Sequence, residues 1–148
     1  MSSYLPIILV LSIEKETWHS EMTGRLHALI RSKARLVEAE TKQATYDALA
    51  TGVAAVLVGD GAITKRKHRE LAHALVAYTK DGGTVLLGCL MSCFSAPPDF
   101  NRMMQTVWSL PWRYGNYSRE DSSLNEAAST DRTTRAPLRK MINVKAVI

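Results

Sequence analysis

Cysteine is scarce in this chain, with Cys89 and Cys93 the only two among 148 residues. That excludes a disulfide-built scaffold. Proline and glycine are also sparse, at five and eight residues, which rules out collagen-like and linker-like chains. No internal repeat appears, so repeat arrays are excluded. The longest apolar run, Leu5 to Ile13, has no preceding Lys or Arg and is closed by Glu14. It is too short to span a bilayer, and no small-x-small cleavage site follows it. The expectation is a protein of the cytoplasm with reduced thiols and no membrane contact.

What remains is ordinary globular composition, 46% hydrophobic and 22% charged. This length suits one domain that needs no metal or disulfide to close its core. The net charge of +5 permits weak attraction to anions but points away from nucleic acid, since no wide basic stripe accompanies it.

The pattern along the chain alternates between strand and helix. Pro6 to Ser12 is a continuous apolar run of the kind buried on both faces in a parallel sheet. Thr17 is placed to cap a helix from Trp18 to about Ala34, with Trp18, Met22, Leu26, Leu29 and Ile30 as its buried stripe. Arg35 to Ala39 reads as a second strand. Thr41 then caps a second helix, which Gly52 ends in the left-handed conformation. Val53 to Val58 is the third strand, Thr64 the cap of a helix from Lys65 to Lys80, and Thr84 to Gly88 the fourth strand. Such alternation with short turns gives a flavodoxin-like α/β fold, a parallel sheet with helices on both faces.

After Gly88 the pattern loosens. Asp99 is placed to cap a short helix through Phe100, Met103, Met104 and Val107. Residues 119–138 are polar and aperiodic and read as a mobile segment. Met141 to Ile148 reads as a last strand of the same domain, without a closing helix. The expected organisation is an α/β domain over 1–118, the polar segment, and a terminal strand over 139–148. The C-terminal part of the fold looks incomplete. The exposed edge of that strand makes self-association or a protein partner an expectation.

Three strings resemble a known family: Asp81-Gly82-Gly83-Thr84-Val85, Cys93 to Phe100, and Leu110-Pro111-Trp112-Arg113-Tyr114-Gly115-Asn116-Tyr117. Over roughly residues 5–125 the chain is similar to uncharacterised fungal proteins of the class I glutamine amidotransferase-like group, near the ThuA-like proteins. The Leu-Pro-Trp-x-x-Gly-x-Tyr string is the most specific part. The resemblance implies a flavodoxin-like sheet and, for catalytic members, a Cys on a Gly-x-Cys-x-Gly elbow completed by a late His and Glu. Here Cys89 takes the nucleophile's place, but Leu87 and Met91 replace the two glycines. All four histidines precede Cys89, and no His-x-Glu follows it. The thiol therefore lacks the base that would make it a thiolate.

Other residues carry candidate chemistry. In open parallel sheets ligands bind beyond the carboxyl ends of the strands. That makes Ser12, Glu14, Asp60, Gly61 and Cys89 the expected site lining, with Glu14, Asp60 and Cys89 as candidate catalytic groups. The run Lys65-Arg66-Lys67-His68-Arg69 lies at an expected helix start, where the macrodipole disfavours cations. It reads either as a solvated face or as an anion site using Lys65 and Arg66. His68 and His73 are five apart on one helix and do not share a metal. Cys89 and Cys93 lack further ligands, so neither a metal nor a cofactor is expected. Trp112, Tyr114 and Tyr117 beside Arg113 read as a packing cluster rather than a base-stacking one.

Three functions follow from these readings. The first is an amidotransferase-like protein without the triad, binding a small polar, anionic or carbohydrate-like ligand or serving as an accessory protein. The second is an enzyme using acid–base or thiol chemistry at the strand ends. The third is a degenerate relative, such as an accessory protein of a fungal metabolic cluster or an interaction module.

Overall fold

The computed structural model describes residues 5–115, 117–123 and 141–147. The chain forms two compact units, Met1–Arg113 and Tyr114–Ile148.

The first unit is built on four parallel strands: β1 (Ile7–Leu11), β2 (Arg35–Ala39), β3 (Ala55–Val58) and β4 (Thr84–Leu87). Their order in the sheet is β2-β1-β3-β4. Leu9 of β1 lies between Val37 of β2 and Val56 of β3, and Val56 pairs onward with Val85 of β4. The two central strands are the ones with unbroken apolar sequence. The edge strands carry the polar residues Arg35, Glu38 and Thr84, as exposure demands. The helices are α1 (His19–Arg31), α2 (Lys42–Ala50), α3 (Arg69–Lys80), the short α4 (Met91–Phe94) and α5 (Pro97–Thr106). Two single 3₁₀ turns, Gly61–Thr64 and Arg66–His68, lead into α3. Right-handed crossovers with this strand order place α1 on one face and α2 and α3 on the other. This is the flavodoxin-like α/β fold.

The main core lies between the sheet and α3 and α5. Leu9, Leu11, Val56 and Val58 pack there with Leu71, Leu75, Met103 and Met104, all at most 3% exposed. Strand alternation sends Val10 and Leu57 to the opposite face.

Several local expectations change. Thr41 does cap α2, its hydroxyl accepting from the Ala44 amide at 3.1 Å, and Gly52 follows with φ of +82°. Thr17 does not cap α1, which starts from Trp18 without a side-chain cap. Thr64 caps nothing: its hydroxyl donates back to the Gly61 carbonyl, and the segment forms two 3₁₀ turns before α3 begins at Arg69. α5 is entered through Pro97, whose missing N–H costs nothing at a helix start. Asp99 pairs within the first turn to Arg102 at 2.6 Å instead of capping.

The largest difference concerns the face of α1. Its inward residues are His19, Thr23 and His27, while Met22, Leu26 and Leu29 are 40–62% exposed. Polar partners decide this rotation. His19 Nε2 meets the Gly59 carbonyl at 3.2 Å, and His27 lies 3.8 Å from Glu38 of β2.

In the second unit, β5 (Tyr117–Ser123) and β6 (Met141–Val147) form an antiparallel pair, Tyr117 opposite Val147. The polar stretch expected to lack regular structure thus begins inside a strand. The terminal strand pairs with β5 rather than extending the parallel sheet. Residues 124–138 of that stretch lie outside the described residues. Among the described residues no helix is long and apolar enough to cross a membrane.

Candidate functional site

The loops after β1, β3 and β4 meet at the carboxyl end of the sheet. Between them lies a cleft of about 490 Å³ lined by Glu14, Glu16, Trp18, His19, Asp60 and Phe94, with Gly61, Ala62, Lys65 and Leu90 completing it. Its position follows from the parallel sheet, whose strands all deliver their carboxyl-terminal loops to one edge.

Asp60 is the anchor of this region. Its side chain is buried at 7% exposure. One oxygen accepts from the Ala62 amide at 3.0 Å, capping the first 3₁₀ turn, and the other accepts from the Glu14 amide at 3.0 Å. The carboxylate therefore ties the loop after β1 to the loop after β3. Charge-assisted bonds of this kind are stronger than neutral ones. Gly61 lies so close to the next element that a Cβ on it would sit 2.6 Å from the Phe94 carbonyl oxygen. The bare backbone lets the end of α4 close over the turn and sets Phe94 as a wall of the cleft.

Glu14 and the basic run find each other. Its carboxylate accepts from Lys65 and Lys67 and lies 3.0 Å from His68 Nε2. Lys65 first, then Lys67 and His68, hold its carboxyl down to about 2. Lys65 is raised in turn, chiefly by its bond to Glu14. Three of the five residues of the basic run thus meet a carboxylate from within the chain. A carboxylate so held is a weak base, and Glu14 serves here as a structural counter-ion.

His19 is 3% exposed and lines the cleft. Its Nε2 must donate to the Gly59 carbonyl, since a carbonyl only accepts. The neutral ring then carries its lone pair on Nδ1, which has no partner among the described residues. Sequence reading missed His19 because it treated the position as part of an apolar helix. The only available signal was its place one turn beyond β1. Trp18 meets Phe94 in a tilted contact, 4.9 Å between ring centroids, giving the cleft an aromatic side. Ser12 does not line the cleft. It is buried at 4% exposure, its hydroxyl is unpartnered among the described residues, and it packs at Gly59.

Cys89 follows β4 with φ of +55°, and α4 begins two residues later. This is a strand-to-helix elbow in the left-handed region, uncommon for a residue with a side chain. Met91 does not crowd the elbow, because its side chain goes into the core at 1% exposure. Burial pushes the Cys89 thiol up from its usual range. Among the described residues no hydrogen bond joins it to a histidine or carboxylate. The geometry of a nucleophile is present without its activation. Cys93 is an exposed free thiol. Among the described residues no three His, Cys, Asp or Glu side chains gather as a metal site.

A second cavity, of about 340 Å³, opens beside the first between the 3₁₀ turns, α3 and α5. Arg66 and Arg69 line it, so the basic run divides between two places. Trp112, expected to pack, is 59% exposed, while Trp108 and Leu110 pack against the core in its stead. Tyr117 lies in β5, and its side chain is outside what the structure describes. No family model, curated protein or solved structure matches this chain.

Proposed function

We propose that this protein binds a small hydroxyl-bearing ligand of carbohydrate type in the strand-end cleft and carries out no thiol chemistry there. The reading includes kinship with the amidotransferase-like, ThuA-like group, as a member without the Cys-His-Glu triad. The observation that carries it is His19, a buried side chain lining the cleft whose Nδ1 has no partner among the described residues. Buried polar groups are nearly always satisfied, and an orphan beside a cavity is the place where a ligand or water completes the bond. With Nε2 committed to Gly59, Nδ1 accepts, so the partner is a donor such as a hydroxyl. Glu16 and Asp60 add further acceptors. Trp18 and Phe94 offer apolar ring faces against which a sugar ring rests. A cleft of this size falls within the usual range for small-molecule sites, about 300–1,000 Å³.

Thiol catalysis at Cys89 is the second reading, favoured by its left-handed backbone. Its raised thiol and missing base weigh against it.

The test is a thermal-shift and calorimetric screen of the full chain against neutral mono- and disaccharides. A saturable rise in Tm is expected, because a ligand at 100 times Kd stabilises by about 2.7 kcal/mol. The rise should disappear in Trp18→Ala and in His19→Phe, with circular dichroism confirming the fold. No shift with any sugar, or a shift indifferent to both substitutions, would sink the proposal.

A further inference from the structure

The second cavity has a composition that the strand-end cleft does not. Arg66 comes from the second 3₁₀ turn, Arg69 from the start of α3 and Arg102 from α5, and Lys65 stands at the border of both cavities. No Asp or Glu lines it. Arg102 is held rigidly, donating to the Thr64 carbonyl at 2.9 Å and pairing with Asp99. Arg66 and Arg69 are exposed and have no carboxylate partner among the described residues. They stand three apart, where like charges repel, and at a helix start, where the dipole opposes cations. Elsewhere in the same run the chain supplies its own counter-ion, Glu14, to Lys65, Lys67 and His68. At Arg66 and Arg69 the described residues supply none.

The inner side of this cavity is apolar. Ala72, Met103 and Val107, each at most 7% exposed, contribute to its wall. Arg66 and Arg69, guanidinium groups without a counter-ion among the described residues, stand beside an apolar pocket and match one ligand chemistry. The planar fork of arginine binds carboxylate and phosphate oxygens in pairs, and the apolar wall takes a hydrocarbon body.

We infer that the cavity between the start of α3 and α5 is a binding site for a small amphiphilic anion, a carboxylate or phosphate on a short apolar body. The site is separate from the strand-end cleft and does not depend on the ligand proposed there.

The probes are hexyl phosphate, hexanoate, hexanol and inorganic phosphate, titrated calorimetrically into the full chain at low and high salt. Hexyl phosphate or hexanoate should bind saturably, and the stronger of the two identifies the head group. Hexanol and inorganic phosphate should bind at least about tenfold more weakly, each lacking one half of the match. Arg66→Ala with Arg69→Ala should weaken the anion about tenfold or more, and both residues are exposed, so the fold persists. Conservative Arg66→Lys with Arg69→Lys should recover part of the loss. Trp18→Ala should leave the anion's affinity unchanged, which separates this site from the cleft. No saturable binding of either anion, equal binding of hexanol or inorganic phosphate, or affinity indifferent to the double substitution would overturn the inference.

Discussion

Glu14 shows how one side chain reorganises the meaning of a charge run. Lys65, Lys67 and His68 gather on it, and its carboxyl is lowered from 4.5 to about 2. A group whose folded value is depressed adds stability above its unfolded value and loses that stability as pH falls through the folded one. The window here runs from about 4.5 down to about 2. The carboxylate is partly open to solvent, at 30% side-chain exposure, so screening reduces the contribution to about 1 kcal/mol. Glu14→Gln should therefore lower Tm at pH 7 by a few degrees and flatten the acid limb of the stability profile below pH 4.5. Chemical denaturation at pH 7, 4 and 3 measures both effects. An unchanged acid limb would show that the cluster contributes nothing to stability.

Among the elements, α1 holds the sharpest lesson. Its helical period was legible, but its direction was not. Trp18, Met22, Leu26 and Leu29 form a regular apolar stripe, yet His19, Thr23 and His27 face inward. Hydrophobic spacing identifies a helix by its repeat, whereas the buried face is chosen by whatever waits across the interface. Here that is the Gly59 carbonyl and Glu38, contributed by residues far along the chain. β2 and α2 were readable because their signals are local: the bounds of β2 and the Thr41 cap need no distant partner. The Thr64 cap failed for the same kind of reason. Asp60 already holds the turn, and two 3₁₀ turns fit the short path between β3 and α3. In the site, the position of the strand-end residues followed from topology, but the role of His19 and the pairing of Glu14 with Lys65 depended on long-range geometry. The inward face yields a prediction. Burial pushes His27 down, against the opposing pull of Glu38, with Arg31, His19 and Lys15 adding to the lowering. A histidine depressed in the folded state withdraws stability as pH falls below about 6.5, where the unfolded chain takes up the proton first. His27→Leu should remove that loss below pH 6.5 in denaturant titrations. Leu29→Gln, on the outward face, should change stability by no more than about 0.5 kcal/mol. A large loss from Leu29→Gln would mean that the apolar stripe is covered after all.

At the scale of the molecule, the core of the first unit closes within residues 9–107. Residues 1–113 expressed alone should therefore melt in one cooperative transition, within a few degrees of the full chain. Scanning calorimetry decides this, and a broad, non-cooperative melt of the fragment would refute it. The same unit carries both cavities, and the loops around them share one fastening. Asp60 takes an amide from the loop after β1 and another from the loop after β3. Mechanically it is a rivet through two plates. Loosening it would free the Glu14 knot, the wall carrying His19 and the border at Lys65 together. A variant at Asp60 that lost all binding would thus report a frame that had come apart, not a missing proton donor. Chemical roles at this end of the sheet are better read from Glu16, which lines the cleft and fastens neither loop.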